Sequence, residues 1–474
     1  MIKLSKSIKN LAIFLSISLY TIIYIIWYLN INLSIIGNYA KVLFPWIVAA
    51  MVIQLTCFLW IKKVTMFDIG LWFLVLSYFF MYGYIFIGYF NLETTLLWAP
   101  IKGYNHSTLF QANFYVNLSL NMFSLGYLLN YKVDKERGSK NYFREGVSRR
   151  NFDEVYDKRK YKIGIILCII GGVCQFISSW TLVKVTQNAG SYTAYTQAAS
   201  SGIIDDIAFL FVPGVIYILS SRNLTNTKAF IFTGIVIAYF SLIMLLSGSR
   251  KTQIFGIVAV LLAYLHKYKP PKLKFYHKAF MVLGSVLFLN MIYVIRENRV
   301  NLSQMIPIFI ESLKSLDFLK ILLPEILAET GLTFCSVASV VYCVPSVFSF
   351  EYGMTLLRST VSILPIGWLF PDFFKKATTT MTINKYMNLP VGGSMFADFY
   401  WNWGYFGIFA AFIFGMLLSI CFTKLSRKFS EIYFSLFYIL LMSVRAGVFE
   451  LVRPVFIIIF IPWLIKSIII QRKI

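Results

Sequence analysis

Six arginines in the second half of the chain lie among apolar runs, where cations are uncommon. Arg250 stands in "LLSGSRKTQIFGI", residues 245–257, between two stretches that are almost wholly apolar. The other five follow later in the chain: Arg296, Arg299, Arg358, Arg445 and Arg453. An ionisable residue at membrane depth is costly and usually faces a protein-lined cavity rather than lipid. Because a guanidinium offers planar, bidentate donors and keeps its charge in a protein, the pattern indicates a binding site for an anion such as a phosphate.

A structural role is the alternative for each of these arginines. A long cationic side chain can extend to lipid headgroups, or it can pair with a neighbouring acid. Glu297 and Glu450 each lie between two of the arginines in the sequence, so either carboxylate could offset their charge.

Two other carboxylates have no such neighbours in the sequence. Asp398 and Glu329 have no Lys or Arg within four residues. A carboxylate near a bound anion, but not held in a permanent salt bridge, can take a proton from an attacking hydroxyl, so both are candidate general bases. We favour Asp398, which lies among residues suited to a sugar, and keep Glu329, in a drier segment, as the alternative.

An aromatic stretch surrounds Asp398. In "LPVGGSMFADFYWNWGYFG", residues 389–407, the rings of Tyr400 and Trp401 stand beside the amide of Asn402. Rings can stack on the CH face of a sugar while an amide bonds its hydroxyls, so these three are candidate substrate-binding residues. An aromatic belt at the membrane interface is the alternative.

The elements that position these residues are predicted to be membrane-spanning helices. Hydrophobic residues make up 58% of the 474 positions and charged residues 14%. A bilayer core needs roughly 20 apolar residues per spanning helix. We therefore expect an all-α polytopic membrane protein, a single integral membrane domain with about 12 spans. The candidate spans are 11–29, 40–60, 69–90, 109–130, 163–183, 204–220, 229–247, 252–266, 279–295, 403–422, 431–446 and 455–470.

Two long segments between spans fix the expected orientation. Residues 131–162 are rich in Lys and Arg, and the positive-inside rule places this basic loop and both termini in the cytoplasm. The net charge of +24 then reflects topology, and we expect no nucleic-acid partner. Residues 296–402 form a large outer loop, with an interfacial helix over 302–323 and a re-entrant segment over 324–345. The run 11–29 is long enough to span, which favours a retained helix over a cleaved signal peptide.

The chain carries no recognisable motif for a metal or a nucleotide. It has no HExxH, no P-loop pattern and no His/Cys cluster with metal-ligand spacing. We therefore expect no metal site and no cofactor.

The pattern resembles the Wzy-type O-antigen and oligosaccharide repeat-unit polymerases. The resemblance rests on multiple spans, a long outer loop late in the chain, and two motifs within residues 245–455. The matching residues are Ser247-Gly248-Ser249-Arg250, Gly392-Gly393-Ser394, and Asp398-Phe399-Tyr400-Trp401-Asn402-Trp403-Gly404 with Gly407.

This resemblance implies a metal-independent membrane glycosyltransferase in the bacterial cytoplasmic (inner) membrane. The growing chain on undecaprenyl diphosphate would be transferred to a new lipid-linked repeat unit at the outer face, for O-antigen or capsular polysaccharide. The arginines would hold the diphosphate, and a chain-length regulator protein would be a further partner. A lipid-linked oligosaccharide flippase and an O-antigen ligase are the alternatives, because the first shares the substrate and the second shares the chemistry.

Overall fold

The fold was examined in a computed structural model of the chain. It describes residues 6–32, 38–94, 104–131, 150–189, 202–221, 223–247, 251–268, 307, 310, 318–364, 369–389, 391–447 and 449–471. These residues form helices and turns, with no strand among them, so the predicted all-α class is confirmed.

Sixteen α-helices can be bounded within the described residues. In chain order they are α1 Lys6–Asn30, α2 Tyr39–Thr56, α3 Ile69–Phe90, α4 His106–Asn130, α5 Arg150–Ala189, α6 Ile203–Ala208, α7 Phe211–Ser220, α8 Asn226–Ser247, α9 Lys251–Lys267, α10 Phe318–Cys343, α11 Met354–Val361, α12 Pro371–Lys375, α13 Met395–Trp403, α14 Gly407–Lys428, α15 Ser430–Leu441 and α16 Val452–Gln471.

Eight helical stretches in the described part of the chain are long and apolar enough to cross a membrane. Seven of them coincide with spans predicted from the sequence, and the eighth, Leu323–Cys343, does not. The predicted spans 252–266 and 431–446 are shorter apolar helices, and 279–295 lies outside the described residues. The chain is therefore a polytopic membrane protein.

Helix α4 is as long as a span but is lined with buried polar side chains. Its Asn117 and Asn121 are hydrogen-bonded to each other at 3.1 Å, and Gln54 of α2 donates to Asn121 at 2.6 Å. The first bond lies within α4 and the second joins it to α2, and both satisfy amides that lipid could not. They explain why an element that is only moderately apolar is nearly all buried.

The segment over 324–345, expected to be re-entrant, is helical up to Cys343, and its re-entrant topology stays a prediction. Helix α10 runs from Phe318 to Cys343 with Pro324 inside it. An interior proline costs about 3 kcal/mol, which burial of the helix against its neighbours offsets. Its Gly331 lies against Gly83 of α3, where a Cβ on either residue would overlap the facing helix.

The chain divides into two compact units. Unit 1 comprises Met1–Ser139, Pro324–Lys428 and Ser443–Arg453, and unit 2 comprises Lys140–Leu323, Phe429–Met442 and Pro454–Ile474.

Unit 1 contains closely approaching helices of its own. Gly126 of α4 and Gly415 of α14 each lie against the other helix's backbone, which leaves no room for a side chain. Small residues at such crossings are typical of membrane helices, because they let backbones approach.

Unit 2 contains a similar crossing and a buried ion pair. Gly164 of α5 and Gly214 of α7 face one another's helices in the same way. Lys160 of α5 lies 3.1 Å from Glu431 of α15, both buried. Helix α5 begins at Arg150, so the second half of the predicted basic loop is helical.

Candidate functional site

The "GGS" motif ends in the residue that starts helix α13. Ser394 is the N-cap, and its hydroxyl accepts the Phe396 N–H at 3.2 Å. Serine is favoured at this position because it satisfies an otherwise unpaired amide of the first turn. The cap places Asp398 in the first turn of α13.

Asp398 is fully buried in unit 1. Its Oδ1 accepts a hydrogen bond from the Thr379 hydroxyl at 3.0 Å, and its relative exposure is 0%. The Oδ2 atom lies so close to Gly447 that a Cβ there would overlap it. The loop after helix α15 can therefore reach the Asp398 carboxylate only with glycine at position 447.

Glu450 lies at the far end of the same loop and is held by Thr380, the residue after Thr379. The Thr380 hydroxyl donates to its Oε1 at 2.7 Å. A Cβ on Gly393 would lie 3.0 Å from this oxygen and 2.9 Å from the Gly447 nitrogen. Within the described part of the chain the Glu450 carboxylate makes no salt bridge, so the pairing with Arg445 considered from the sequence does not form.

Arg445 opens this loop and faces Glu329 of helix α10. Its Nη1 lies 3.9 Å from Glu329 Oε1, and the two side chains are 26% and 12% exposed. Among the described residues the Arg445 guanidinium donates no hydrogen bond, so its donors remain available to a ligand. A Cβ on Gly392 would lie 2.6 Å from the Arg445 carbonyl oxygen.

Arg358, by contrast, is engaged within the protein. It pairs with Glu351, donates to the Lys376 carbonyl oxygen at 3.1 Å, and lies 5.8 Å from the centre of the Phe373 ring. These contacts hold helix α11 to helix α12 and the turn after it.

The middle of the aromatic stretch is inside the protein, whereas Tyr405 and Phe406 at its end are exposed. Tyr400 and Trp401 are buried, and Asn402 donates to the Thr355 hydroxyl at 2.7 Å and accepts from the Gly353 N–H at 2.8 Å. The amide of Asn402 therefore joins the end of α13 to the turn before α11.

The remaining predicted arginines divide into two groups. Arg453 lies in the first turn of α16. Arg250, Arg296 and Arg299 lie outside the described residues, and their assignment to an anion site stays a prediction from the sequence.

Sequence reasoning missed the turn at 379–384, which supplies Thr379, Thr380 and Asn384. Asn384 is buried and donates to the Ser336 hydroxyl at 3.2 Å and the Gly392 carbonyl oxygen at 3.3 Å. The polar run "ATTTMTIN" in an otherwise apolar segment was the available signal.

The site thus combines one partly exposed cation with three carboxylates, Glu329, Asp398 and Glu450. A cation with available donors suits a phosphate oxygen, and a carboxylate suits a hydroxyl. The described residues contain no group of three or more His, Cys, Asp or Glu side chains that could hold a metal ion.

The fold and the site together define a polytopic all-α membrane protein with an arginine–carboxylate site built from its late loops. The family model for the O-antigen polysaccharide polymerase Wzy matches residues 12–473, nearly the whole chain, and the chain belongs to that family. No curated protein and no solved structure matches it. The resemblance to Wzy-type polymerases is confirmed, and the family implies a polymerase acting on lipid-linked oligosaccharides in a membrane.

Proposed function

We propose that the protein polymerises oligosaccharide repeat units carried on undecaprenyl diphosphate, at the outer face of a bacterial cytoplasmic membrane. The growing chain is the donor, and a hydroxyl of a new lipid-linked repeat unit is the acceptor. The bond from the anomeric carbon to the diphosphate breaks, and a glycosidic bond to the acceptor oxygen forms. Undecaprenyl diphosphate leaves with the bonding electrons, and the hydroxyl proton passes to a carboxylate.

The observation that supports this proposal is Arg445. It is partly exposed, and its guanidinium donates no hydrogen bond to the described residues. Such a group can bind a diphosphate oxygen and stabilise the negative charge that develops as the diphosphate leaves. Stabilisation of developing charge is usually the largest single contribution to catalysis.

Glu329 is the carboxylate best placed to take the proton. It lies 3.9 Å from Arg445 and is 12% exposed, whereas Asp398, which the sequence favoured, has no exposed surface. When the diphosphate binds the guanidinium, the Glu329 carboxylate lies beside the reacting group and can accept the hydroxyl proton. Asp398 then acts as a positioning residue through its contact with Gly447.

The test is polymerisation by the purified full-length protein in liposomes that contain lipid-linked repeat units as the sole sugar substrate. A ladder of products that persists in a metal chelator is the expected result, and Arg445→Ala should abolish it. In parallel liposomes to which lipid A–core is added as an acceptor, transfer of a single unit without a ladder would indicate a ligase. Movement of the substrate between leaflets without bond formation would indicate a flippase.

A further inference from the structure

The loop that carries Arg445 is held to the rest of the site by a contact at its opposite end. We call residues 445–450 the arginine loop; residue 448 lies outside the described part of the chain. Arg445 opens the loop and Glu450 closes it. The Thr380 hydroxyl donates to Glu450 Oε1 at 2.7 Å, which fixes the end distant from the arginine.

The "GGS" segment lies along the arginine loop on the other side. Gly392 faces the Arg445 backbone, and Gly393 faces both Gly447 and Glu450. Because a side chain at either glycine would meet the loop, the two segments are in direct contact at Arg445, Gly447 and Glu450. A displacement of Glu450 would therefore be transmitted to Arg445.

The hydrogen bond from Thr380 fixes the orientation of the Glu450 carboxylate. Glu450 has no salt bridge in the described residues, so the Thr380 hydroxyl is the group that orients its carboxylate. A hydrogen bond to a charged acceptor is stronger than one between neutral groups. Thr380 lies in the π-helical turn Thr380–Asn384, whose Asn384 also donates to the Gly392 carbonyl oxygen at 3.3 Å.

We propose that Thr380 and Glu450 are positioning residues for the reaction: their hydrogen bond holds the arginine loop so that the Arg445 guanidinium meets the diphosphate. This inference rests on the proposed function, in which Arg445 binds that group. Neither residue touches the reacting atoms. Because Arg445 binds the diphosphate and stabilises the charge that develops as it leaves, their effect appears both in diphosphate binding and in the rate of the chemical step.

A double-mutant cycle tests the coupling, with undecaprenyl diphosphate as the probe and the full-length protein in nanodiscs. Thr380→Val and Glu450→Ala should each weaken binding about tenfold, the effect of losing a charged hydrogen bond. The double variant should be no weaker than either single variant, because both changes break the same contact. Thr380→Ser keeps the donor and should stay within about twofold of the wild type. Glu450→Gln keeps an acceptor without its charge, so its affinity should lie between those of the wild type and Glu450→Ala.

The matched control is Thr360→Val in helix α11. The Thr360 hydroxyl donates to the Leu356 carbonyl oxygen at 2.9 Å and is exposed, so the same change there should leave binding unaltered. In the liposome assay, Thr380→Val should lower kcat/KM for the lipid-linked repeat unit about tenfold, and Thr380→Ser should restore it.

Wild-type affinity in Thr380→Val, or losses that multiply to about a hundredfold in the double variant, would overturn the proposal. If Thr380→Val fails to give a folded protein, wild-type affinity in Glu450→Ala would overturn it equally. A wild-type protein that neither binds the probe nor forms a ladder contradicts the proposed function instead. A wild-type protein that does both, with unaffected variants, contradicts this inference alone.

Discussion

Two arginines of the same unit show how surroundings decide the role of one residue type. Arg358 is engaged by Glu351, a backbone carbonyl and the face of Phe373. Arg445 has one carboxylate at 3.9 Å and is 26% exposed. The first guanidinium is engaged by the protein through Nη1, although its buried Nε has no hydrogen-bond partner. The second donates no hydrogen bond to the described residues and is the more exposed, so its donors can reach a ligand. The charge pattern of the sequence could not separate them, because both stand in similar apolar surroundings.

The first prediction follows from this difference. Arg445→Lys keeps the charge but loses the bidentate geometry, so polymerisation should fall at least tenfold while thermal stability stays unchanged. Arg358→Lys should lower thermal stability, since a lysine cannot reproduce the three contacts of Arg358, and affect activity less. Ladder formation and melting temperature, measured on both variants, check the pair. An Arg445→Lys protein with full activity would remove Arg445 from the anion site.

The second prediction separates the two candidate bases. Glu329→Gln removes the proton acceptor beside Arg445 and should abolish polymer while lipid-substrate binding remains. Asp398→Asn keeps the volume and can still accept the Thr379 hydroxyl, so it should leave reduced but measurable polymerisation. Product length and substrate binding are the two readouts. Long chains from Glu329→Gln, with none from Asp398→Asn, would restore Asp398 as the base.

The candidate site was predictable from the sequence in its residue types but not in its contacts. The outer arginines and the Asp398 segment stand out because charge in an apolar chain is conspicuous. The Thr379–Asp398 and Arg445–Glu329 contacts join distant parts of the chain, which sequence spacing cannot reveal. Asn402 illustrates a second limit of prediction from the sequence. An amide that joins two turns and an amide that binds sugar look the same in the sequence.

At the scale of elements, glycine determines how closely segments approach. Gly447 admits the Asp398 carboxylate, and Gly83 with Gly331 allows α3 and α10 to meet and so places Glu329. Helix α8 has a contrasting glycine: a Cβ on Gly234 would meet nothing within 4 Å.

The third prediction uses this contrast. Gly447→Ala would drive a Cβ into the buried Asp398 carboxylate, so polymerisation should fall at least tenfold through displacement of the loop that carries Arg445. Gly234→Ala should be neutral in activity and stabilise helix α8 by up to about 1 kcal/mol. Product ladders and thermal stability report both effects. Equal behaviour of the two variants would show that the close approach at Gly447 is unimportant.

The fourth prediction concerns helix α5, whose first residues belong to the basic loop. Lys160 and Glu431 are both buried, and removal of one partner of a buried pair costs roughly 3–5 kcal/mol. Lys160→Met should therefore lower the thermal stability strongly. Lys162→Met, on the same helix and exposed, should not. If both variants have the melting temperature of the wild type, the ion pair contributes no net stability.

Helix positions were the most predictable part of the fold, and their ends the least. The span expected at 69–90 is helix α3, Ile69–Phe90, because an uninterrupted apolar run between Asp68 and Asn91 leaves few alternatives. Helix α10 joins the end of the predicted interfacial helix to the predicted re-entrant segment, with Pro324 inside it, and the sequence did not show that the two are continuous. Tertiary burial, which the sequence does not display, overrides such local signals.

For the whole molecule, the open question is how the chain crosses the membrane. The charge bias predicts both termini in the cytoplasm and 296–402 outside. Helix α10 is long enough to cross the membrane. If it crosses completely and ends at the outer face, the chain before it must start from the inner side. The proposed position of the site at the outer face therefore depends on the orientation of the chain in the membrane, which can be measured.

The last prediction fixes that orientation. In a chain with its six native cysteines replaced, a cysteine at Ser249 should react with an impermeant thiol reagent added to intact cells, because the charge bias predicts that "SGSRK" joins two spans at the outer face. A cysteine at Ser139, in the basic loop, should react only after the membrane is made permeable. The native cysteines are buried or lie on helices, so their replacement by alanine or serine leaves the loops unchanged.

A third cysteine at Ser315, just before helix α10, should label from outside if α10 starts at the outer interface. Protection at Ser315 together with labelling at Ser249 would mean that α10 crosses fully and approaches the Arg445 loop from the cytoplasmic side. Labelling at Ser139 and not at Ser249 would place the arginine site inside the cell, where the proposed lipid-linked donor could not be extended at the outer face.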